Sequence, residues 1–238
     1  MSSSSEHDAL AWPSPVRLVD EVARVLRQRI YTGHYLPGDL LRQQQLAEDL
    51  QVSRTPLREA LRMLQSEGLV EADGVRGVRV ARADRRRLLD AYALREMLDG
   101  LAARQAAERS AARARALLGP IVEAQRLTLE PWQPSEYIRL NVELHAAIVA
   151  LADNEFLSAQ LALVRKTSQV FAPAVLISKD RAAPSVHEHG LIVDAIAAGD
   201  AERAEQLGRD HIRATMDCLR QASAALERAG SRPRALAA

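Results

Sequence analysis

The 238-residue sequence predicts a mainly α-helical protein in two parts: a small unit of three helices and a β-hairpin, then a longer all-helical antiparallel bundle. Three observations carry this. Aromatic residues make up only 3% of the chain while Ala, Leu and Arg abound, a composition that favours helices over sheet. Apolar residues recur at helical spacing from about residue 16 to residue 228. The one interruption is a pair of short β-like runs between residues 69 and 81, separated by two glycines.

Residues 1–15 are Ser-rich, end in Pro13 and Pro15, and read as a disordered tail with neither the basic nor the apolar region of a signal peptide. From Val16 to Tyr31, the positions Val19, Val22, Ala23, Leu26 and Ile30 give a helical period, which Gly33 and Leu36-Pro37-Gly38 stop. A short helix at about residues 42–50 follows, with Leu46, Ala47 and Leu50 facing inward. Gln51 and Val52 make a brief turn into a third helix, Ser53 to Ser66. There Ser53 is the N-cap, Pro56 occupies the first turn, and Gly68 closes the element. Leu57, Ala60, Leu61 and Leu64 form its apolar stripe, and Arg54, Arg58 and Arg62 line a neighbouring face at intervals of four. Two helices joined by so short a turn, the second carrying guanidinium groups, make a helix-turn-helix. Leu69–Ala72 and Val78–Ala81 then pair as a wing whose tip carries Arg76 beside Gly77. Residues 16–82 are thus expected to be a winged helix-turn-helix domain that meets DNA.

Beyond a linker at about residues 83–87 everything reads helical, at about 84–108, 110–129, 134–152, 154–179, 184–198 and 200–228. Gly119-Pro120 should kink or stop a helix, Ala183-Pro184 should separate two, and Pro173 should kink one. Residues 83–229 form this second domain, and residues 230–238 should fray.

Charge supports the division. Residues 16–87 hold 14 Arg against 10 acids, and residues 88–238 hold 18 Lys and Arg against 19 acids. The positive excess therefore lies on the unit expected to meet a phosphate backbone. The single cysteine, Cys218, excludes an internal disulfide and suits a reducing compartment. It reads as a small core residue. No apolar run reaches 18 residues, so no membrane span is expected, and a cytoplasmic location follows as an expectation.

The pieces L-P-G-D-L-L, L-A-E-D-L, V-S-R-T-P-L-R-E-A-L, L-x-x-E-G-L-V and R-G-V-R-V occur in order between Leu36 and Val80. They resemble the winged-helix head of the GntR family of bacterial transcription regulators, over roughly residues 16–81. The helical remainder resembles the FCD effector domain of the FadR subfamily. Its markers are Leu94-Arg95-Glu96-Met97-Leu98-Asp99, Asn141-x-x-x-His145, Glu188-His189, Ala195–Asp200 and His211. The resemblance implies that Arg54 and Arg58 read bases and phosphates, that Ser53 and Thr55 contact phosphates, and that Arg76 and Gly77 form the contacting wing tip. Gln44 departs from a pattern in which some members carry Arg just before the helix-turn-helix, which leaves the operator sequence open.

Asn141 and His145 share a helix face, and His189 and His211 lie on two further helices. Three imidazoles and one oxygen donor converging in a bundle would suit a divalent metal such as Zn²⁺ or Ni²⁺. Spacing alone favours unrelated surface or core histidines. The resemblance favours a metal set, because these positions match those of metal-binding FCD domains, where Asp is commoner than Asn at the first. An Asn carbonyl ligates without charge, so affinity should be lower, and a bound carboxylate would supply the missing negative charge. His187 should point away from the set.

In FCD domains the arginine matching Arg95 faces the ligand cavity, which implies recognition of a carboxylate effector. The plainer reading is a salt bridge to Asp99, four residues on. Arg139 and Arg165 are further candidates for the same cavity. The expected protein is a ligand-responsive regulator, a repressor, binding a pseudo-palindromic operator as a homodimer, its DNA affinity set by a small organic acid. Two alternatives stand beside it. One is a metal-dependent enzyme with Glu143 or Glu188 as base, and the other is a regulator whose metal is purely structural.

Overall fold

A computed structural model of the chain describes residues 15–74, 77–82, 85–171 and 178–230. Most of the expected N-terminal tail, the wing-tip Arg76, the kink expected at Pro173 and the C-terminal tail beyond Gly230 lie outside the described residues. The chain divides into two compact units, the first ending at Ala81 and the second beginning at Arg82.

In the first unit, helices α1 (Pro15–Tyr31), α2 (Gln43–Asp49) and α3 (Arg54–Ser66) accompany strands β1 (Leu40–Leu41), β2 (Val70–Ala72) and β3 (Val78–Val80). The strands form one antiparallel sheet in the order β1-β3-β2. Val22, Ala23 and Leu26 of α1, Leu46 of α2 and the Leu57, Ala60, Leu61 and Leu64 stripe of α3 are all buried, as their spacing predicts. Helix α3 ends as its glycine requires. Gly68 lies at φ 64°, its N–H donates to the carbonyl of Gln65 (2.9 Å), and the N–H of Leu69 donates to the carbonyl of Leu64 (2.9 Å). Strand β1 falls between the helix stop at Leu36-Pro37-Gly38 and α2, where the sequence predicts no element, since two residues are too short to show an alternation. It explains Gly77, whose φ is 142° and where a Cβ would come within 2.6 Å of the Leu41 carbonyl oxygen. Only glycine lets the wing pass so close to β1.

In the second unit, α4 (Arg85–Leu127) is two helices joined at Ser110, where φ is −140°. It packs against α5 (Pro134–Leu151), α8 (Lys179–Ala197) and α9 (Ala201–Gly230). Small side chains set the spacing. Ala102, Ala103, Ala106 and Ala107 are buried along α4, and a Cβ on Gly208 of α9 would sit 3.2 Å from the Asp99 carbonyl oxygen. That close approach brings the α4 residue Asp99 and the α9 residue His211 into one neighbourhood.

Three helix expectations need correction. The chain continues helically through Gly119-Pro120. Buried Leu118 and partly buried Ile121 and Val122 hold both sides of the proline against the core, offsetting a penalty of roughly 3 kcal/mol. Likewise α8 begins at Lys179, with Pro184 inside it, because Ala182 and Val186 pack with Tyr137 on either side of the proline. Finally, residues 155–171 are not one helix but α6 (Glu155–Ser158), α7 (Leu161–Arg165) and a π-helix (Lys166–Phe171). Asn154 caps α6, accepting from the N–H groups of Phe156 (3.0 Å) and Leu157 (3.3 Å). The buried Thr167 hydroxyl is directed at the carbonyls of Leu163 (2.8 Å) and Val164 (3.0 Å), competing with backbone donors. π-helical turns are frequently found at functional sites.

Candidate functional site

The first candidate surface belongs to the head. Burying Leu57, Ala60, Leu61 and Leu64 turns the opposite face of α3 to solvent, and Ser53, Arg54, Thr55, Arg58 and Arg62 are all exposed. Arg62 pairs with Glu59 at 2.6 Å, while Arg54 and Arg58 form no hydrogen bond or ion pair with any described residue. Ser53 has the extended backbone of an N-cap, yet its hydroxyl makes no capping bond. The first two turns of α3 therefore present two guanidinium groups unpaired among the described residues, with exposed hydroxyls beside the helix's N-terminal N–H groups, an arrangement suited to phosphates and guanine edges.

The second candidate lies inside the bundle. His145 of α5, His189 of α8 and His211 of α9 converge there. One ring nitrogen from each lies within 4.8 Å of the others, and all three residues are buried. Each ring is held from behind by its Nδ1. His145 Nδ1 donates to Asp99 Oδ1 (2.5 Å), His189 Nδ1 to Gln125 Oε1 (2.8 Å) and His211 Nδ1 to Glu188 Oε2 (2.7 Å). A ring that donates from Nδ1 carries its lone pair on Nε2, so three partners fix three tautomers that all offer Nε2.

Two of those atoms, His189 Nε2 and His211 Nε2, face each other at 3.3 Å. Two lone pairs at that distance repel unless a cation or proton lies between them. Burial, with the nearby His211 and His145, pushes His189 well below its ordinary pKa. Burial lowers His211 to about 4 against the opposing hydrogen bond to Glu188. Both are therefore neutral near pH 7, the form that ligates. This donor set fits a divalent metal ion.

The carboxylates behind the rings are themselves paired. Arg95, only 2% exposed, donates from Nε and Nη2 to the two oxygens of Asp99 (3.1 and 3.0 Å). Its Nη1 reaches the hydroxyls of Ser168 (3.1 Å) and Thr167 (3.3 Å) on the π-helix. Burial alone would raise the Asp99 pKa, but Arg95 and His145 outweigh it and hold the carboxyl well below the usual range. Arg181 repeats the arrangement on the other side, donating to both oxygens of Glu188 (2.9 and 2.7 Å). Burial opposes the charge on Glu188, but His211 and Arg181 outweigh it and its pKa falls. The result is two chains of the same kind, His145–Asp99–Arg95 and His211–Glu188–Arg181, with His189 backed by a neutral amide.

A cavity of about 50 Å³ opens beside this cluster, lined among others by Tyr92, Arg95, Asn141, His145, Arg181 and His211. That volume admits a few waters or a small oxyanion. Asn141, Arg95 and the three histidines are thus brought together. Arg139 is not. It lies exposed on α5, paired with Glu136 (2.7 Å) and Glu143 (2.7 Å). Arg165 is exposed on α7 and does not line the cavity, and His187 is exposed as expected. Glu188, imagined as a base, is engaged by His211 and Arg181, and Glu143 by Arg139. Cys218, expected in the core, is half-buried at the cavity wall.

Sequence reading missed Arg181, Gln125 and Asp99 as partners of the site. Arg181 sits three residues before a proline expected to start a helix, which leaves it outside the helices that the sequence predicts. The i, i+4 spacing of Arg95 and Asp99 signalled their pair, but not that Asp99 also orients His145.

Comparison with known proteins identifies both halves of the chain. Residues 18–80 match the family described as "Bacterial regulatory proteins, gntR family", and residues 90–214 match the FCD domain. The chain is 32% identical over 199 residues to the "Probable D-xylose utilization operon transcriptional repressor" of Paenarthrobacter nicotinovorans, covering 83% of this chain and 86% of that one. It is 26% identical over 211 residues to the "HTH-type transcriptional repressor GlaR" of Escherichia coli strain K12, covering 84% of this chain and 95% of that one. The fold superposes on Escherichia coli McbR/YncC with a TM-score of 0.75 at 22% identity, covering 87% of this chain and 98% of the other. These relatives are transcriptional regulators rather than enzymes, which removes the metalloenzyme alternative. Among the described residues no helix is long and apolar enough to cross a membrane. The chain belongs to the GntR family of bacterial transcriptional regulators, with a winged helix-turn-helix head and an FCD domain.

Proposed function

We propose that this regulator is a cytoplasmic repressor that binds a pseudo-palindromic operator as a homodimer and changes its DNA affinity when a small organic acid enters the bundle beside a divalent metal. His145, His189 and His211 hold the metal through Nε2, with Asn141 offering its carbonyl oxygen. Zn²⁺ and Ni²⁺ both suit a set rich in imidazole. The observation that carries this reading is the outward hydrogen bond of every Nδ1, to Asp99, Gln125 and Glu188, which leaves three inward Nε2 donors with no hydrogen to offer one another.

Arg95 and Arg181 line the cavity and give it the positive wall a carboxylate needs, even with most of their N–H groups engaged. In the head, Arg54 and Arg58 read the operator, Ser53 and Thr55 approach phosphates, and Arg76 with Gly77 forms the wing contact. Two-fold symmetry then places two α3 helices on two half-sites. A metal that is purely structural remains the rival, and one experiment separates them. Operator binding is measured on metal-loaded and chelator-treated protein, with and without a panel of organic acids. The proposal expects an acid that shifts operator affinity only in the metal-loaded protein. A metal that raises the melting temperature while every acid effect survives chelation would favour the structural role.

A further inference from the structure

One face of α4 carries Arg95 and Asp99 into the bundle. Another turns large apolar groups outward. Leu94, Met97 and Leu101 are 51%, 53% and 39% exposed. At about 100° per residue they lie within about 60° of one another around the helix, with exposed Ala93 beside them. Single exposed leucines are ordinary, but a contiguous apolar stripe marks an interaction surface. Charged residues continue the stripe at both ends. Arg86 and Asp90 precede it, and Arg104 and Glu108 follow it, each within about 20° of Met97 in projection. The side chains of Arg86 and Asp90 are 91% and 73% exposed, and those of Arg104 and Glu108 are 37% and 43% exposed.

The charges along this face run plus, minus, apolar, plus, minus. That order selects a partner and an orientation. About a two-fold axis through Met97 and perpendicular to α4, residues equally far before and after Met97 meet. Met97 then faces Met97 of the second copy, and Ala93 faces Leu101, small against large. Asp90 faces Arg104 and Arg86 faces Glu108, so every charge meets its opposite. Leu94 falls between Met97 and Leu101 of the second copy. A parallel pair would instead set Arg86 against Arg86 and Asp90 against Asp90, which repel.

Resting on the homodimer reading above, we propose that this face of α4 is where two copies of the chain associate, antiparallel, with Met97 on the two-fold axis. The self-complementary order of charges favours a second copy over an unrelated partner. The apolar centre supplies affinity. The exposed ion pairs add little affinity and set register and direction. Within each copy Arg104 is 3.0 Å from Glu108 and Arg86 is 3.7 Å from Asp90, so association joins these pairs into four-charge clusters.

The test is sedimentation of the full-length protein over a range of concentrations, with circular dichroism to check folding. Met97→Glu sets two like charges face to face on the axis and should weaken the dimer about a hundredfold or more. Arg86→Glu should weaken it about tenfold, and adding Glu108→Arg to the same chain should restore it. Register is read by oxidative cross-linking in a Cys218→Ser background. Met97→Cys should cross-link to its own counterpart. Arg104→Cys should not, since it lies about 21 Å along the helix from its counterpart. If wild type dimerises but Met97→Glu does so as tightly, or Met97→Cys forms no cross-link, this surface is overturned while the homodimer stands. Cross-linking of Arg104→Cys as readily as Met97→Cys overturns the antiparallel register. A wild type that stays monomeric at every concentration removes both this surface and the homodimer reading.

Discussion

The two halves of this regulator treat arginine in opposite ways. On α3, Arg54 and Arg58 stand in solvent with no partner among the described residues, so none of these competes with a phosphate or a guanine for their N–H groups. In the bundle, Arg95 is almost wholly buried and Arg181 largely so, and each makes a two-pronged pair with a carboxylate. An exposed unpaired cation costs the fold little, because water solvates it, and it is available to a polyanion. A buried cation must be paired before any ligand arrives. The head is therefore a ready surface, and the bundle is an interior whose two arginines are already paired with carboxylates.

The contrast is broken most severely in the interior. Arg95→Ala would strand Asp99 in a nearly dry site and remove the bonds to Thr167 and Ser168. The expected loss is about 3–5 kcal/mol of bundle stability, read by urea denaturation. The same substitution at Arg54 should shift stability by less than about 0.5 kcal/mol. Equal effects at the two positions would deny the distinction.

Acid provides the next strongest probe. His211 titrates near 4 in the folded protein against an ordinary 6.5, and His189 is lowered as well. Above pH 6.5 both folded and unfolded states are neutral at these rings. As the pH falls from 6.5 towards 4 the unfolded chain takes up protons that the folded one refuses. Stability of the metal-free protein should therefore drop across that window, by roughly 3 kcal/mol from His211 alone. His211→Asn should flatten the profile. A wild-type melting temperature that stays level from pH 7 to pH 4.5 would contradict the buried neutral cluster.

On the DNA side, Arg54→Ala or Arg58→Ala should each weaken specific operator binding by about 1–3 kcal/mol, roughly 5- to 150-fold. Secondary structure and self-association should stay unchanged. Unaltered specific binding in an electrophoretic or fluorescence titration would remove α3 from the base-reading role.

Much of this was readable in the residues, for physical reasons that differ by region. Helix α3 was legible because its cap, apolar stripe, arginine spacing and closing glycine are all local, and its burial pattern follows. The histidine set was legible only through resemblance, since convergence of residues 145, 189 and 211 depends on how α5, α8 and α9 pack. The partners behind the rings were less legible still. Gln125 is an unremarkable polar residue on a helix until its oxygen is found 2.8 Å from His189, and Arg181 was obscured by Pro184. Gly119-Pro120 and Pro184 are strong local breakers, yet packing on both sides keeps the helix at each. Asn154 and the Thr167 hydroxyl, at either end of the divided stretch 155–171, are weaker local signals.

Arg62 supplies the finest test of the comparison. It follows Arg58 on the same face of α3, but it is paired with Glu59 at 2.6 Å while both side chains remain about half exposed or more. Pairing alone does not commit an arginine. A solvent-exposed pair is worth only about 0–1 kcal/mol, so a phosphate can displace Glu59 at small cost. Arg62→Ala should therefore leave stability nearly unchanged. It should weaken operator and non-specific DNA alike, lowering the slope of log affinity against log salt by about one unit. Loss of specific binding as large as that of Arg54→Ala would mean that Arg62 reads a base. No change in the salt slope would mean that Glu59 holds it as firmly as Asp99 holds Arg95, and the division between a free surface and a committed interior would have to be drawn by pairing rather than by burial.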